Sequence, residues 1–542
     1  MERRTFIAGG TAAVAAAATG CKANGGSAGA SPTATGTGTT APLTTTSVAV
    51  PANWTALARG LDGTLVRPGE ASWAAARQLY NTRFDDLRPA AVAYVAHADD
   101  IRTVVAYARA HGIKAAIRNG GHSYGGWSSG DGRLIIDVSK LNRVRTSGTT
   151  AVVGAGSKLI DVYRALAAKG VTIPAGSCPT VGVSGLVLGG GHGVVSRAYG
   201  LTCDSLTRAT IVTADGKQLT ADATTNKDLF WALRGAGNGN FGVVTELEFR
   251  THPAPQAVTG YLTWPWSKAA AVVKAWQEWG PSQPDEIWSS LHLANATGGT
   301  PTISVAAFCI GTYGQLQNAV DRLADRVGAP ATNVSLRRRT YEAAMEIYAG
   351  CSSFSSDAQC HLPGSTPGRS PQGALGRETY AARSDFFDVS LSTAGVQTLL
   401  KQMKSVQGGS GSIALTALGR RGEPRLAHGH GVRPPPLPHA GAVHRGVAGR
   451  HGGDGRPVLA EHGPQGDGPV RLGRGLSELR GPDPRELAQG VLRRRAAASD
   501  PAEEAVRPER LLQLPPSPLT CRTSALTWRP SPQTCRSSPP TR

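Results

Sequence analysis

No Cys-x-x-Cys pair occurs in this chain, so the usual ligand spacing of a structural zinc site is absent. No apolar run reaches membrane-spanning length: the Ala-rich stretch after Ile7 ends by Thr19 and is only weakly hydrophobic. Aromatic residues are few, at 6%, and with 40% hydrophobic residues this composition fits a soluble α/β protein. Lysine is missing altogether from the last 123 residues, which bears on the net charge of +19. From Arg420 onward there are 20 arginines, 11 acids and one aromatic, Trp528. The remainder is mildly basic, with mixed signs and no basic helical stripe. That distribution argues against a nucleic-acid partner, despite the total. At 542 residues the chain exceeds one hydrophobic core, and two domains with appendages are expected.

Chemistry concentrates in two glycine-rich segments. The first is Arg118-Asn-Gly-Gly-His-Ser-Tyr124. The second runs from Gly176 to Gly193 and contains Cys178-Pro-Thr-Val181-Gly182, then Gly185 and Gly190-Gly191-His-Gly193. Glycine lets the backbone approach a ligand and present amide N–H groups with no Cβ in the way. A basic residue, Arg118, beside such a loop suits a diphosphate. His122 and Cys178, each set among glycines, could both bond to one cofactor. A satisfied loop histidine in a tight turn is the bland alternative for either segment alone; two long motifs in this order disfavour it.

These segments resemble the two flavin-attachment motifs of the berberine-bridge-enzyme-like, FAD-linked oxidoreductases. In that family the histidine bonds the 8α carbon of the isoalloxazine and the cysteine bonds C6. The resemblance implies FAD held covalently through His122 and Cys178. It also implies cofactor contacts from Arg118, Asn119, Gly120, Gly121, Ser123, Tyr124, Val181, Gly182, Gly185, Gly190, Gly191, Gly193, Gly242 and Val244. Asn119 departs from the usual small residue, at a position where backbone is expected to matter more than side chain. Val181 resembles the small residue that goes with oxygen access, favouring an oxidase. A small-molecule substrate and O2 are the implied partners, and no metal is.

From Trp54 to Pro253 short strands alternate with helices. Strands are expected at Ala91–Ala96, Ile113–Ile117, Leu134–Val138, Ala151–Val153 and Val243–Phe249. A helix capped by Asp99-Asp100 carries Ile101, Val104, Val105 and Ala108 on one face. Ser157–Ala168 is amphipathic, and Ala214-Asp215-Gly216 marks a hairpin. A Rossmann fold is excluded, because no ribose-binding acid follows at the expected spacing. The resemblance implies an α+β fold class: a two-subdomain FAD-binding domain of the vanillyl-alcohol-oxidase type over residues 54–253, then an antiparallel-sheet substrate domain over 254–418. The second region shows strands at Val258–Leu262, Trp288–Ala294 and Thr302–Cys309 and helices at Lys268–Trp279 and Gln315–Val327. Arg383-Ser-Asp-Phe386 also resembles a family segment. Trp264, Trp266, Trp276 and Trp279 could stack on a substrate, but their helical or strand-like spacing favours packing.

Arg3-Arg4, followed by Phe6 and the weak apolar run, resembles a twin-arginine export signal over residues 1–21. Ala18-Thr-Gly-Cys21 resembles a lipoprotein cleavage site, making Cys21 a candidate lipid anchor. Residues 22–50 read as a disordered tether. Cys351 and Cys360 lie close enough in sequence for a loop disulfide in an oxidising compartment; the sequence leaves that open.

After Leu418 periodicity disappears and Gly, Pro, Arg and Ala dominate. Residues 419–542 are expected to be disordered. They also read as an out-of-frame product of a GC-rich gene. Permitted codons for Leu476–Pro482, read one base later, give Tyr-Gln-Asn-Tyr-Val-Asp, which resembles the family's Y-x-N-Y motif. Val491–Arg494, Val506–Ser517 and Gly422–Ala427 give family-like segments in the same frame and in family order. The tyrosine proposed as base in many members would lie there, so the printed chain has no assigned catalytic base. A catalytically dead flavin-binding surface protein is the alternative function.

Overall fold

The computed structural model describes residues 52–418 except 388, and the backbone of 441–447. The export signal, the tether and most of the tail lie outside the described residues.

Two sheets carry the first region. Thr64–Val66 (β1), Ala91–Tyr94 (β2), Ala115–Arg118 (β3) and Leu134–Asp137 (β4) form a sheet in the order β1-β2-β4-β3. Strands β2, β4 and β3 run parallel, and β1 is antiparallel to β2. Parallel strands need a crossover, and the helix Ala98–Ala110 supplies it between β2 and β3. Its face of Ile101, Val104 and Ala108 is buried, as the spacing predicts. Asp100 does not act as a simple cap. Its buried carboxylate accepts from the backbone N–H groups of Asp62, Gly63 and Ala96, and so ties the preceding loop to the helix.

The second sheet is antiparallel. Its strands are Val144–Ser147 (β5), Thr150–Gly154 (β6), Leu206–Val212 (β8), Gln218–Asp222 (β9) and Val243–Arg250 (β10), ordered β5-β6-β10-β8-β9. Between them, Val171–Thr172 (β7) pairs with His252–Pro253 (β11). The β8–β9 hairpin turns at Asp215-Gly216, where Gly216 takes a φ of 84°. The amphipathic helix Leu159–Ala167 buries Leu159, Val162 and Leu166.

The second region is one seven-stranded sheet: Ala257–Trp264 (β12), Ile287–Ala296 (β13), Thr302–Cys309 (β14), Asn333–Arg339 (β15), Ala381–Phe387 (β16), Ser410–Ala417 (β17) and Gly441–Val447 (β18). The order is β15-β12-β14-β13-β17-β18-β16, and every pairing is antiparallel. Alternation divides its faces. Leu291, Leu293, Val305 and Ala307 share a core with the helices Ala269–Ser282, Tyr313–Val327 and Thr393–Lys404. Trp288, Ala306 and Phe308 join the core of the first region instead.

Of the four tryptophans weighed as substrate platforms, Trp264, Trp276 and Trp279 are buried in the helix-covered core. Their indole N–H groups donate to Ala329 O, Ser289 Oγ and Ala319 O. They are packing residues. Strand β18 is the exception, among the described residues, to the expectation of a disordered tail. It fills the gap between β17 and β16, where two rows of backbone donors and acceptors need a partner whatever the side chains. Cys351 and Cys360 form a disulfide beside Ile160, with Cα atoms 5.6 Å apart.

Candidate functional site

Strand β3 delivers the first glycine loop, and the turn before the helix Val183–Leu188 delivers the second. The two interlock through glycine. A Cβ on Gly120 would lie 2.4 Å from Thr180 O, and one on Gly182 would lie 2.1 Å from Asn119 Cγ. Farther along, a Cβ on Gly193 would strike Ala175 O at 1.7 Å, while Gly190 and Gly191 adopt φ values of 104° and 81°. Side chains at these points would push the loops apart. Gly242, at φ 141°, packs on Val212 O and leads into β10, where Val244 is buried. Gly185 is open to its surroundings.

Asn119 contributes through its side chain, contrary to the expectation from sequence. Its Nδ2 donates to Ala155 O and Ser157 O, and its Oδ1 accepts from Lys158 Nζ at 2.5 Å. A small residue there would make none of these bonds. Arg118 turns inward: its Nε is 2.5 Å from Asp137 Oδ2, both side chains are buried, and Tyr94 OH lies 3.4 Å from Nη2. The ion pair commits this charge to the sheet edge. The cation that touches the glycine loop is Lys158, whose pKa burial pushes down to about 8.

His122 is half-buried, with Nε2 2.8 Å from Thr180 Oγ1. Burial, then the Lys158 charge, pushes its pKa down to about 3, so the imidazole is neutral at ordinary pH. Cys178 is an exposed free thiol, near enough to Tyr80, Tyr124 and Tyr380 to interact with each electrostatically. The surrounding protein mass, and then the Glu378 carboxylate, push it up to about 11. Ser123 Oγ accepts from Trp127 N, which closes the turn after His122. Val181 N donates to Cys178 O at 3.3 Å, shaping the cysteine loop.

Three site residues escaped the sequence reading: Tyr80, Glu378 and Tyr380. Tyr80 stacks on the His122 ring, with centroids 3.9 Å apart and planes 18° from parallel. Tyr380 meets Tyr124 edge-on at 5.6 Å. Glu378 hydrogen bonds the Tyr80 hydroxyl, and burial pushes its pKa up to about 7. A clamp sets this wall: Asn81 exchanges hydrogen bonds with Tyr380, Thr82 N donates to Glu378 O, and Arg377 pairs with Asp85. Tyr80 N in turn donates to Gly121 O. The nearest sequence signal was Arg383-Ser-Asp-Phe386, just beyond Tyr380.

A cavity lined by Tyr80, Arg118, Gly120, Lys158, Thr180 and Arg369 lies at the two close-packed glycine loops, with the His122 imidazole stacked on its Tyr80 wall, and a basic cavity beside glycine loops suits a diphosphate. Residues 89–222 match the FAD binding domain family. Residues 89–222 are thus assigned to an FAD binding domain. The chain is similar to FAD-linked oxidoreductases and to berberine-bridge-enzyme-like proteins. An uncharacterized FAD-linked oxidoreductase of Bacillus subtilis, YgaK, is 35% identical over 239 residues, which are 43% of this chain and 53% of that one. BBE-like 1 of Physcomitrella patens superposes with a TM-score of 0.64 at 27% identity, covering 72% of this chain and 83% of that one. Glucooligosaccharide oxidase from Acremonium strictum, described with 6-S-cysteinyl, 8α-N1-histidyl FAD, gives 0.61 at 26% identity, covering 72% and 81%. The chain spans about half the length of the curated relatives it matches, 53% for YgaK.

Proposed function

We propose that this protein binds FAD through two covalent bonds, from His122 and Cys178, and oxidises an alcohol, sugar or natural-product substrate with O2 as electron acceptor. The observation that carries this reading is that Tyr80 stacks on His122 and also interacts with Cys178, which puts both residues around one side chain. His122 Nε2 is engaged by Thr180, which leaves Nδ1 for attachment, the atom that the N1-histidyl description of the glucooligosaccharide oxidase names. Amide groups of the two glycine loops hold the diphosphate, with Val181, Gly242 and Val244 lining the way. Tyr80, Tyr124 and Tyr380 wall the ring end of the cleft. The cofactor supplies two-electron acceptance and reoxidation by O2. The protein's part is to orient the substrate C–H toward it, exclude water and accept the hydroxyl proton. Acid denaturation and precipitation test the reading: the flavin should stay with the protein pellet. Flavin washing into the supernatant from loaded, folded protein would refute covalent attachment. Replacing either residue alone should leave one bond, and replacing both should release all the FAD.

A second reading concerns the tail. The composition change after Leu418 and the four family-like segments in one alternative frame support a frameshift. On that reading the proton acceptor, a tyrosine, belongs to the restored frame, and the printed chain is a flavin-binding protein without turnover. Export by the twin-arginine route completes the proposal. The Cys351–Cys360 disulfide suits an oxidising compartment, and Cys21 is the candidate lipid anchor. Changing Arg3 and Arg4 to lysine should hold the precursor inside the cell. Unaltered export of that variant would refute the route.

A further inference from the structure

We propose that Thr180 is the positioning residue for flavin attachment at His122: its hydroxyl occupies Nε2 and so leaves Nδ1 as the nucleophile. This rests on the covalent reading above and names the group that would direct it.

The geometry comes from three contacts. Thr180 Oγ1 lies 2.8 Å from His122 Nε2. Thr180 is 4% exposed, and its backbone is locked against Gly120, where a Cβ would sit 2.4 Å from Thr180 O. The residue is therefore held beside the ring. Tyr80 covers one face of the imidazole at 3.9 Å, which blocks a ring flip that would exchange the two nitrogens. Tyr80 is itself held by Gly121 through its backbone N–H and by Glu378 through its hydroxyl. The Thr180 backbone also supports the ring, so both hydrogen-bonding contacts to the imidazole come from this one residue.

A neutral imidazole has one N–H and one lone pair. With Nε2–H donating to Thr180 Oγ1, the lone pair is on Nδ1. Attachment then forms the Nδ1–C8α bond and breaks one C–H bond at C8α. The C8α proton and the Nε2 proton leave, and the electron pair of the broken bond passes into the flavin ring system. O2 accepts those two electrons and two protons, giving H2O2 and the oxidised, attached cofactor. Nε2 ends without a proton. A hydroxyl serves both stages, because it accepts from Nε2–H before attachment and donates to bare Nε2 afterwards. Serine can do the same. Valine, of nearly the same shape, can do neither.

The test uses the full chain, its Thr180→Val and its Thr180→Ser variants, each produced with FAD and digested with trypsin. The peptide after Arg118 carries His122, and the peptide after Lys169 carries Cys178. A doubly attached flavin joins the two peptides into one species, whereas a singly attached flavin leaves its mass on one of them, so each bond is read by mass and no turnover is needed. Wild type and Thr180→Ser should give the joined species. Thr180→Val should keep flavin on the Cys178 peptide, which shows a folded, loaded cleft, and lose at least tenfold on the His122 peptide or shift the bond to Nε2. Full Nδ1 occupancy in Thr180→Val, or failure of Thr180→Ser to restore it, overturns the inference while leaving the covalent reading intact. Wild-type protein with no flavin on either peptide overturns the covalent reading, and this inference with it.

Discussion

The two regions of the molecule close their sheets differently. Every strand of the glycine-loop region comes from residues 64–253, and its core includes Ile101, Leu134, Val153, Ile211 and Phe249. The seven-stranded sheet takes its sixth strand, β18, from Gly441–Val447, beyond the point where the composition changes. The contrast separates two demands on a sheet. Backbone groups must be paired, and almost any sequence can do that. Side chains must alternate to build a core, and few sequences can. Strand β14, Thr302–Cys309, meets both demands, with Val305, Ala307 and Cys309 in the core. Strand β18, Gly-Ala-Val-His-Arg-Gly-Val, meets the first and carries only two large apolar residues for the second.

Restoring the alternative frame before the Gly422 codon would break this contrast most sharply. The restored segment would supply apolar residues to the sheet and the tyrosine base to the cleft. Substrate turnover should rise at least a hundredfold over the printed chain, measured as H2O2 release per bound flavin. Equal turnover of the two proteins would place the base within residues 54–418 and remove the frameshift reading.

A core substitution probes whether the second region is stable in its own right. Trp279 is 1% exposed, with its indole N–H on Ala319 O. Trp279→Ala should cost about 3–5 kcal/mol, from the cavity and the orphaned carbonyl together. Denaturant titration followed by tryptophan emission suits this, since five of ten tryptophans lie between Trp264 and Trp288. A loss under about 1 kcal/mol would mean the sheet is already loosely packed in the printed chain.

What the sequence made legible follows from how local each signal is. The β8–β9 turn, the helix over Tyr313–Val327 and the two glycine loops are written in contiguous residues, and their limits agree with the structure within a few positions. The wall of the site is not written that way. Asn81 and Tyr380 are 299 residues apart, and no periodicity announces that they meet. Glu378 looks like one more exposed acid until the fold lays it on Tyr80. Asn119 and Arg118 were read as loop chemistry, yet their partners, Lys158 and Asp137, come from other strands and turns.

Glu378 gives the smallest expected effect and the finest test of how the two regions are joined. It follows two of the second sheet's three helices in sequence but sits on the first region's site, beside the Tyr80 hydroxyl. Burial raises its pKa from an ordinary 4.5 to about 7. A carboxyl raised in the folded state binds its proton more tightly there than in the unfolded chain. Its contribution to stability is therefore full below pH 4.5 and is lost as pH rises through 7. At about 1.4 kcal/mol per pKa unit, discounted for the part of the group that water reaches, the loss is about 2 kcal/mol or less. Glu378→Gln keeps an acceptor for Tyr80 without the charge. Its stability should match the parent near pH 4.5 and exceed it by about 1–2 kcal/mol at pH 8, read from urea midpoints. Parallel pH profiles would mean that Glu378 is solvated, and that the clamp from Arg377 to Tyr380 does not bind the second region to the flavin cleft.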